Sequence, residues 1–337
     1  MADAIDRALL AYLKKHVDAD EEKIQQAVDS HKVLRDRLQA KCEEDASLPV
    51  PYTDGLLFGS LVRKTKRHPM DDADFLFLMD GAGLITINNG FRTGGVEGVH
   101  AGDNPLLDPK YRGGDGHISS AKVMATLRAV IANSYPRSDV TKDGQAINVW
   151  LDAYGFGIDV VPSVYVVPDN GAAPHFYIPL GNGQDGWRST DPRTDLTAYE
   201  NGNARLGGLL SPTARLAKTW NDVLNAGRLG NFHMDVLVLK AFPTGTLFNP
   251  SLSKMLADFF AVLPTLLGQR CPQLTGFSPD VDESLSQENR RLSIESARRA
   301  AMLAAAAVGY ENAGQTQKAL ECWSSVLGEQ IVVNAPA

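Results

Sequence analysis

The chain has 337 residues, is 44% hydrophobic and contains no low-complexity tract, so it can bury a full core, and its length favours two closely packed lobes. Its net charge is -7, with Lys and Arg dispersed along the sequence; that is a poor footprint for gripping a long DNA or RNA backbone, whereas mononucleotides remain easy to accommodate. The first residues are acidic where a secretory signal needs a basic and then an apolar region, no apolar run approaches the ~20 residues of a membrane span, and Cys42, Cys271 and Cys322 lie far apart without metal-ligand spacing, so a cytoplasmic protein with reduced thiols and no membrane association is expected.

From about Asp20 to Glu44, Ile24, Ala27, Val28, His31, Leu34 and Leu38 recur at three- and four-residue spacing with charges between them, which predicts a long amphipathic helix. Leu48-Pro49-Val50-Pro51 breaks it, because proline removes a donor and pushes the preceding residue out of helical geometry. A short apolar run then leads to Gly59-Ser60, a basic segment and a second run, Asp72 to Met79; both runs read as strands of one sheet. Residues 81–116 are rich in Gly and Asn with little periodicity, and a connection of that length reads as a lid over a binding site or a disordered loop.

A helix is expected over 118–133, capped near Ser119-Ser120, followed by a hairpin made of 146–151 and 157–161. Pro, Gly, Asn and Asp crowd 168–203 and mark the passage between lobes. Beyond Leu209 helical spacing dominates: about 213–225, 234–241, 253–267, a long Ala-rich segment over 284–308, and 315–327. The run 300–308 is half the length of a membrane span and follows Arg298-Arg299, so it reads as a buried helix. The expected domains are 1–205 and 206–337.

The chemistry is concentrated in Phe58-Gly59-Ser60 and, eleven residues on, Asp72-Ala73-Asp74. Positions i and i+2 of a strand face the same side about 7 Å apart, so both carboxylates address one spot. Two hard oxygen ligands suit Mg²⁺, which is usually held by one or two carboxylates together with substrate phosphates. Gly59 lets the backbone approach a phosphate, and Ser60 with the amides of the following turn can donate to it. Asp159, set between Ile158 and Val160-Val161, supplies a third acid whose burial would be costly unless it faces a cleft or a metal, the alternative being a strand-end Asp paired with an Arg.

The order Gly59-Ser60, Thr65, Asp72-x-Asp74, Asp159-Val160-Val161-Pro162 resembles the nucleotidyltransferase core of cyclic GMP-AMP synthase, oligoadenylate synthetase and their bacterial relatives, the CD-NTases. Gly186-Trp187-Arg188-Ser189-Thr190-Asp191-Pro192 with Asn201 resembles the Trp-to-Pro segment of the bacterial group. Arg215 to Asn221 resembles their spine helix with its Lys-x-Trp, and Asn231 to Leu237 matches a segment that usually reads Ser, aromatic, His, Leu, Glu. The resemblance spans nearly the whole chain. It implies an α/β (α+β) fold of the DNA polymerase β-like superfamily: a catalytic core with a mixed sheet, an N-terminal helix and a helical C-terminal lobe.

The resemblance further implies that Asp72, Asp74 and Asp159 bind two Mg²⁺ (Mn²⁺ being an alternative), one activating an acceptor ribose hydroxyl and the other stabilising the leaving pyrophosphate. Gly59, Ser60, Lys218 and Asn231 are the nucleotide-binding candidates it supplies: Lys218 as a phosphate-contacting point charge aimed into the cleft, Asn231 where relatives commonly carry Ser. Asp235 stands for the usual Glu. His233 reads as a packing residue, and Trp187 and Trp220 as core. The implied activity is synthesis of a cyclic di- or oligonucleotide second messenger from ATP, GTP, CTP or UTP for bacterial anti-phage defence, acting through a downstream effector and open to a regulatory protein, with no template. A linear-product synthase, or an enzyme that nucleotidylates a drug or protein, would use the same acids. A catalytically dead nucleotide sensor is disfavoured by the presence of all three. The C-terminal residues lack the terminal Gly expected of conjugation through the chain end.

Overall fold

The computed structural model describes residues 4–81, 84–87, 90–93, 105–114, 117–167, 173–181, 183–243, 251–277 and 279–332, without the side chains of 85–93 and 107. In chain order these form α1 (Ala4–Tyr12), continued by a wide helical turn over Leu13–Val17, α2 (Glu21–Glu44), β1 (Leu56–Phe58), α3 (Gly59–Val62), β2 (Asp72–Met79), β3 (Leu84–Ile87) and β4 (Gly90–Thr93). Then come α4 (Ser120–Ser134), β5 (Asp139–Asp143), β6 (Ala146–Leu151), β7 (Phe156–Val166), β8 (His175–Pro179) and β9 (Trp187–Thr190). The remainder is helical: α5 (Pro192–Arg205), α6 (Leu210–Leu224), α7 (Asn231–Ala241), α8 (Leu252–Leu267), α9 (Gln287–Asn312) and α10 (Thr316–Leu327).

Two compact units divide the chain, one made of 20–61 and 70–193, the other of 1–19, 62–69 and 194–337. This differs from a single boundary at 205/206. The first 19 residues and the basic segment 62–69 belong with the C-terminal helices, an association carried by tertiary contacts between distant stretches.

The first unit is built on a mixed sheet. β2 and β7 run parallel at its centre, β1 flanks β2 and β6 flanks β7 antiparallel, β5 follows β6, and β8 with β9 extends from the far end of β7. Phe75, Leu76, Phe77 and Met79 on β2, with Ile158, Val160 and Val161 on β7, are buried, as befits central strands covered on both faces. The predicted amphipathic helix is α2, capped by Asp20, whose carboxylate accepts from the amides of Glu22 (2.8 Å) and Lys23 (3.2 Å). Its buried stripe, Ala27, His31, Leu34, Leu38 and Cys42, packs toward β2, with the His31 ring 5.0 Å from that of Phe75.

The structure revises two stretches. β8 and β9 occupy part of 168–203, read as connection only: each is no more than five residues long and is defined by pairing rather than by periodicity. Within 81–116, β3 and β4 form an antiparallel hairpin and single helical turns span Pro105–Leu107 and Pro109–Tyr111; residues 82–83, 88–89, 94–104 and 115–116 of the segment read as a lid lie outside the described residues, as does the tail from 333.

In the helical unit, Trp220, Phe259, Phe260 and Trp323 anchor one continuous apolar core that also takes in Ile5, Leu9 and Tyr12 of α1. The long Ala-rich helix is α9. Its buried positions, Ser293, Ser296, Ala297, Ala300, Ala304 and Ala307, are all small, which lets α8 and α10 lie close against it, while Met302 is exposed on the outer side. Among the described residues no helix is long and apolar enough to cross a membrane.

Candidate active site

The three predicted acids lie on the two central strands of the sheet. Asp74 on β2 is paired in register with Asp159 on β7, and Asp72, two residues before it, pairs with Gly157. Directly paired residues on adjacent strands share a face, and so do i and i+2 of one strand; all three carboxylates are therefore presented on one side of the sheet. Burial reports the same arrangement. Asp72 and Asp74 are half-buried on either side of buried Ala73, and Asp159 is half-buried between buried Ile158 and Val160.

The turn from β1 into α3 closes this row from the other edge. Phe58 pairs with Asp74, and Gly59 follows with φ +80°. A Cβ at that position would overlap the Asp74 carboxylate, so glycine is required both by its left-handed backbone and by the side chain beside it. Ser60, on the first turn of α3, is half-buried next to it.

One hydrogen bond to the acids comes from a residue that the motif reading did not select. Asn148 on β6 is the register partner of Asp159, and its Nδ2 donates to Asp159 Oδ1 at 2.7 Å. The signal was present in the sequence: Asn148 is the one polar residue between Ile147 and Val149 in an apolar strand, placed as Asp159 is in its own.

The three acids form a row on one face of the sheet. Among the described residues no group of three or more His, Cys, Asp or Glu side chains is placed to hold a metal ion by itself, so any cation bound by this row would need further ligands such as water or phosphate oxygens.

Lys218 and Asn231 belong to the helical unit, and the structure gives the lysine a different environment from the one expected. Lys218 is 1% exposed. Its ammonium lies 2.7 Å from Asp235 Oδ1 and donates to Thr65 O (3.2 Å) and Thr65 Oγ1 (3.1 Å). The lysine thus sits in a buried clasp, ion-paired with Asp235 and hydrogen-bonded to Thr65. Burial pushes the Lys218 pKa down, with Asp235 opposing. Asp235, fully buried, also accepts from Arg63 Nε (3.2 Å) and Nη2 (3.1 Å) and from Thr65 Oγ1 (2.9 Å). One carboxylate thus joins the segment 62–69 to α6 and α7. The shorter Asp serves here because both cations and the hydroxyl reach it directly.

Asn231 is exposed at the first position of α7, after Gly230. His233 is buried, and burial lowers its pKa to about 4 against the pull of Asp282; it is a neutral packing residue. Trp187 and Trp220 are fully buried, Trp187 Nε1 donating to Ile118 O at 2.7 Å and Trp220 meeting Phe260 edge-on.

Known proteins resemble the chain over nearly its whole length. No protein-family profile matches the chain. A probable cyclic nucleotide synthase from Bacillus cereus is 26% identical over 324 residues, 95% of each chain. Among solved structures, Escherichia coli CdnC with ATP superposes with a TM-score of 0.70 at 15% identity, covering 97% of this chain and 98% of that one; the same CdnC is also known in a complex with HORMA-deltaN. Vibrio cholerae DncV, a cyclic AMP-GMP synthase, superposes with a TM-score of 0.67 at 12% identity, covering 99% and 100%. The chain has the fold of the bacterial CD-NTases and is a homologue of a probable cyclic nucleotide synthase, with a row of three acids at the centre of its sheet.

Proposed function

We propose that the chain is a nucleotidyltransferase that joins ribonucleoside triphosphates into a cyclic di- or oligonucleotide, and that it does so as the signal generator of a bacterial anti-phage system. The observation that carries the chemistry is the in-register pairing of Asp74 with Asp159, with Asp72 on the same face and the glycine turn of Gly59 against Asp74. Ring formation is supported by kinship to a probable cyclic nucleotide synthase over nearly the full length. The HORMA complex of CdnC supports looking for a regulatory protein.

In this reading Asp72, Asp74 and Asp159 hold Mg²⁺ at the end of the β2/β7 pair, Mn²⁺ being an alternative. Bound there, the metal supplies acidification of an acceptor hydroxyl and neutralisation of charge on the α-phosphate and leaving pyrophosphate. Gly59 allows the triphosphate to approach the backbone without a side chain in the way, and Ser60 donates to it. Asn148 keeps Asp159 in place. Asn231, exposed at the start of α7, is the second donor candidate, whereas Lys218 acts through the clasp with Asp235 and Thr65.

The test is incubation of the purified protein with labelled ATP, GTP, CTP and UTP, singly and mixed, with Mg²⁺ or Mn²⁺, followed by phosphatase and mass spectrometry. The reading predicts a phosphatase-resistant product that vanishes in Asp72→Asn/Asp74→Asn. Linear products alone would move the assignment to an oligoadenylate-type synthase.

A further inference from the structure

The row of acids extends one strand further than the motif that identifies it. Across the sheet, Phe58, Asp74, Asp159, Asn148 and Thr141 are successive register partners on β1, β2, β7, β6 and β5. Asn148 therefore flanks Asp159 on the side opposite Asp74. It is half-buried on that face while its neighbours Ile147 and Val149 are fully buried on the other.

A second observation shows that space is kept for this amide. A Cβ on Gly157 would lie 2.5 Å from Asn148 Nδ2 and 3.2 Å from its Oδ1, so the amide would have to shift to admit it. The φ of Gly157 is not in the left-handed region, so its backbone does not demand glycine. The amide of Asn148 in its present position disfavours any larger residue there. The same Gly157 is the register partner of Asp72, so the amide, the glycine and two of the three acids form one contiguous patch of sheet.

On the nucleotidyl-transfer reading above, we infer that Asn148 is a positioning residue for Asp159: its Nδ2, lodged over Gly157, fixes the rotation of the carboxylate and so sets the geometry in which Asp159 meets the cation. An amide suits this task. It donates to a carboxylate without adding charge, whereas Lys or Arg there would neutralise the acid in place of the metal, and an acid would compete for it. Groups that orient a ligating carboxylate typically change metal affinity or activity 10–100-fold when removed.

The measurement is Mn²⁺ affinity by electron paramagnetic resonance on the full-length protein with a non-reactive ATP analogue, so that it does not depend on turnover. Asn148→Leu, of similar shape without a donor, is expected to weaken Mn²⁺ binding about 10–100-fold while melting temperature and far-UV circular dichroism stay near wild type. Asn148→Asp, of the same shape but charged, is expected to alter binding differently from Leu, and Asn148→Ser, which keeps a donor, to recover part of the loss. Gly157→Ala, which displaces the amide while leaving Asn148 present, should reproduce the Leu phenotype. Wild-type Mn²⁺ affinity in Asn148→Leu, or in Gly157→Ala should the Leu variant not fold, overturns the inference. Failure of the wild-type protein itself to bind Mn²⁺ with the analogue overturns the nucleotidyl-transfer reading instead, so the two failures are distinct.

Discussion

At the scale of single residues, a methyl group at position 59 meets two obstacles at once, a backbone with φ +80° and the Asp74 carboxylate. Gly59→Ala is accordingly expected to cost about 1–3 kcal/mol of stability and to abolish most activity, read by thermal unfolding and by product yield. The clasp on Asp235 yields an asymmetric pair. Asp235→Asn leaves Lys218 and Arg63 buried without their anion and should cost roughly 3–5 kcal/mol. Lys218→Met leaves Asp235 bonded to Arg63 and Thr65, and should cost less. Urea unfolding of the two variants side by side checks the order. His233 is held neutral, with a folded pKa of about 4 against an ordinary 6.5. The unfolded chain therefore takes up the proton first, and the stability His233 contributes is present above about pH 6.5 and lost as pH falls toward 4. His31 is pushed the same way by burial, so it is the difference between wild type and His233→Gln that isolates His233: the variant should lose stability less steeply over that window, by at most about 1.4 kcal/mol per pH unit.

At the scale of elements, the small buried stripe of α9 is a packing constraint. Ala304 is fully buried where α9 lies against its neighbours, so Ala304→Leu should cost about 1–3 kcal/mol through overpacking, whereas Met302→Leu, at an exposed position, should leave the melting temperature almost unchanged. Elements of this kind were legible in the sequence, because their burial follows a 3.6-residue period that survives without knowledge of partners; α2, α8 and α10 start within one residue of where spacing and caps place them. The helix α1 carries the same signal, with Ile5, Ala8, Leu9 and Tyr12 on one face. Strands β8 and β9 were not legible, being short and fixed by pairing. In the site, Gly59, Asp72 and Asp74 could be read because they fall close together in sequence, and Asp159 because it is a lone acid between apolar residues of a strand. Asn148 stands out in its strand, but its pairing with Asp159 depends on register, and the burial of Lys218 could not be read, since it depends on a carboxylate seventeen residues away and on Thr65, more than one hundred and fifty residues earlier.

At the scale of the whole molecule, the proposed function requires the row of carboxylates to be the place where a triphosphate and its cation join the protein. Kinship to a cyclic nucleotide synthase and the CD-NTase fold make ring closure the outcome that distinguishes this reading from other uses of the same acids. The stoichiometry of released pyrophosphate measures it most directly. Closing a ring releases one pyrophosphate for every nucleotide incorporated, whereas a linear chain keeps a triphosphate at its end and releases one fewer. A ratio of one is expected in the wild-type protein, with no pyrophosphate above background in Asp159→Asn. A ratio that stays below one at completion, or release that persists in Asp159→Asn, would contradict the proposed function.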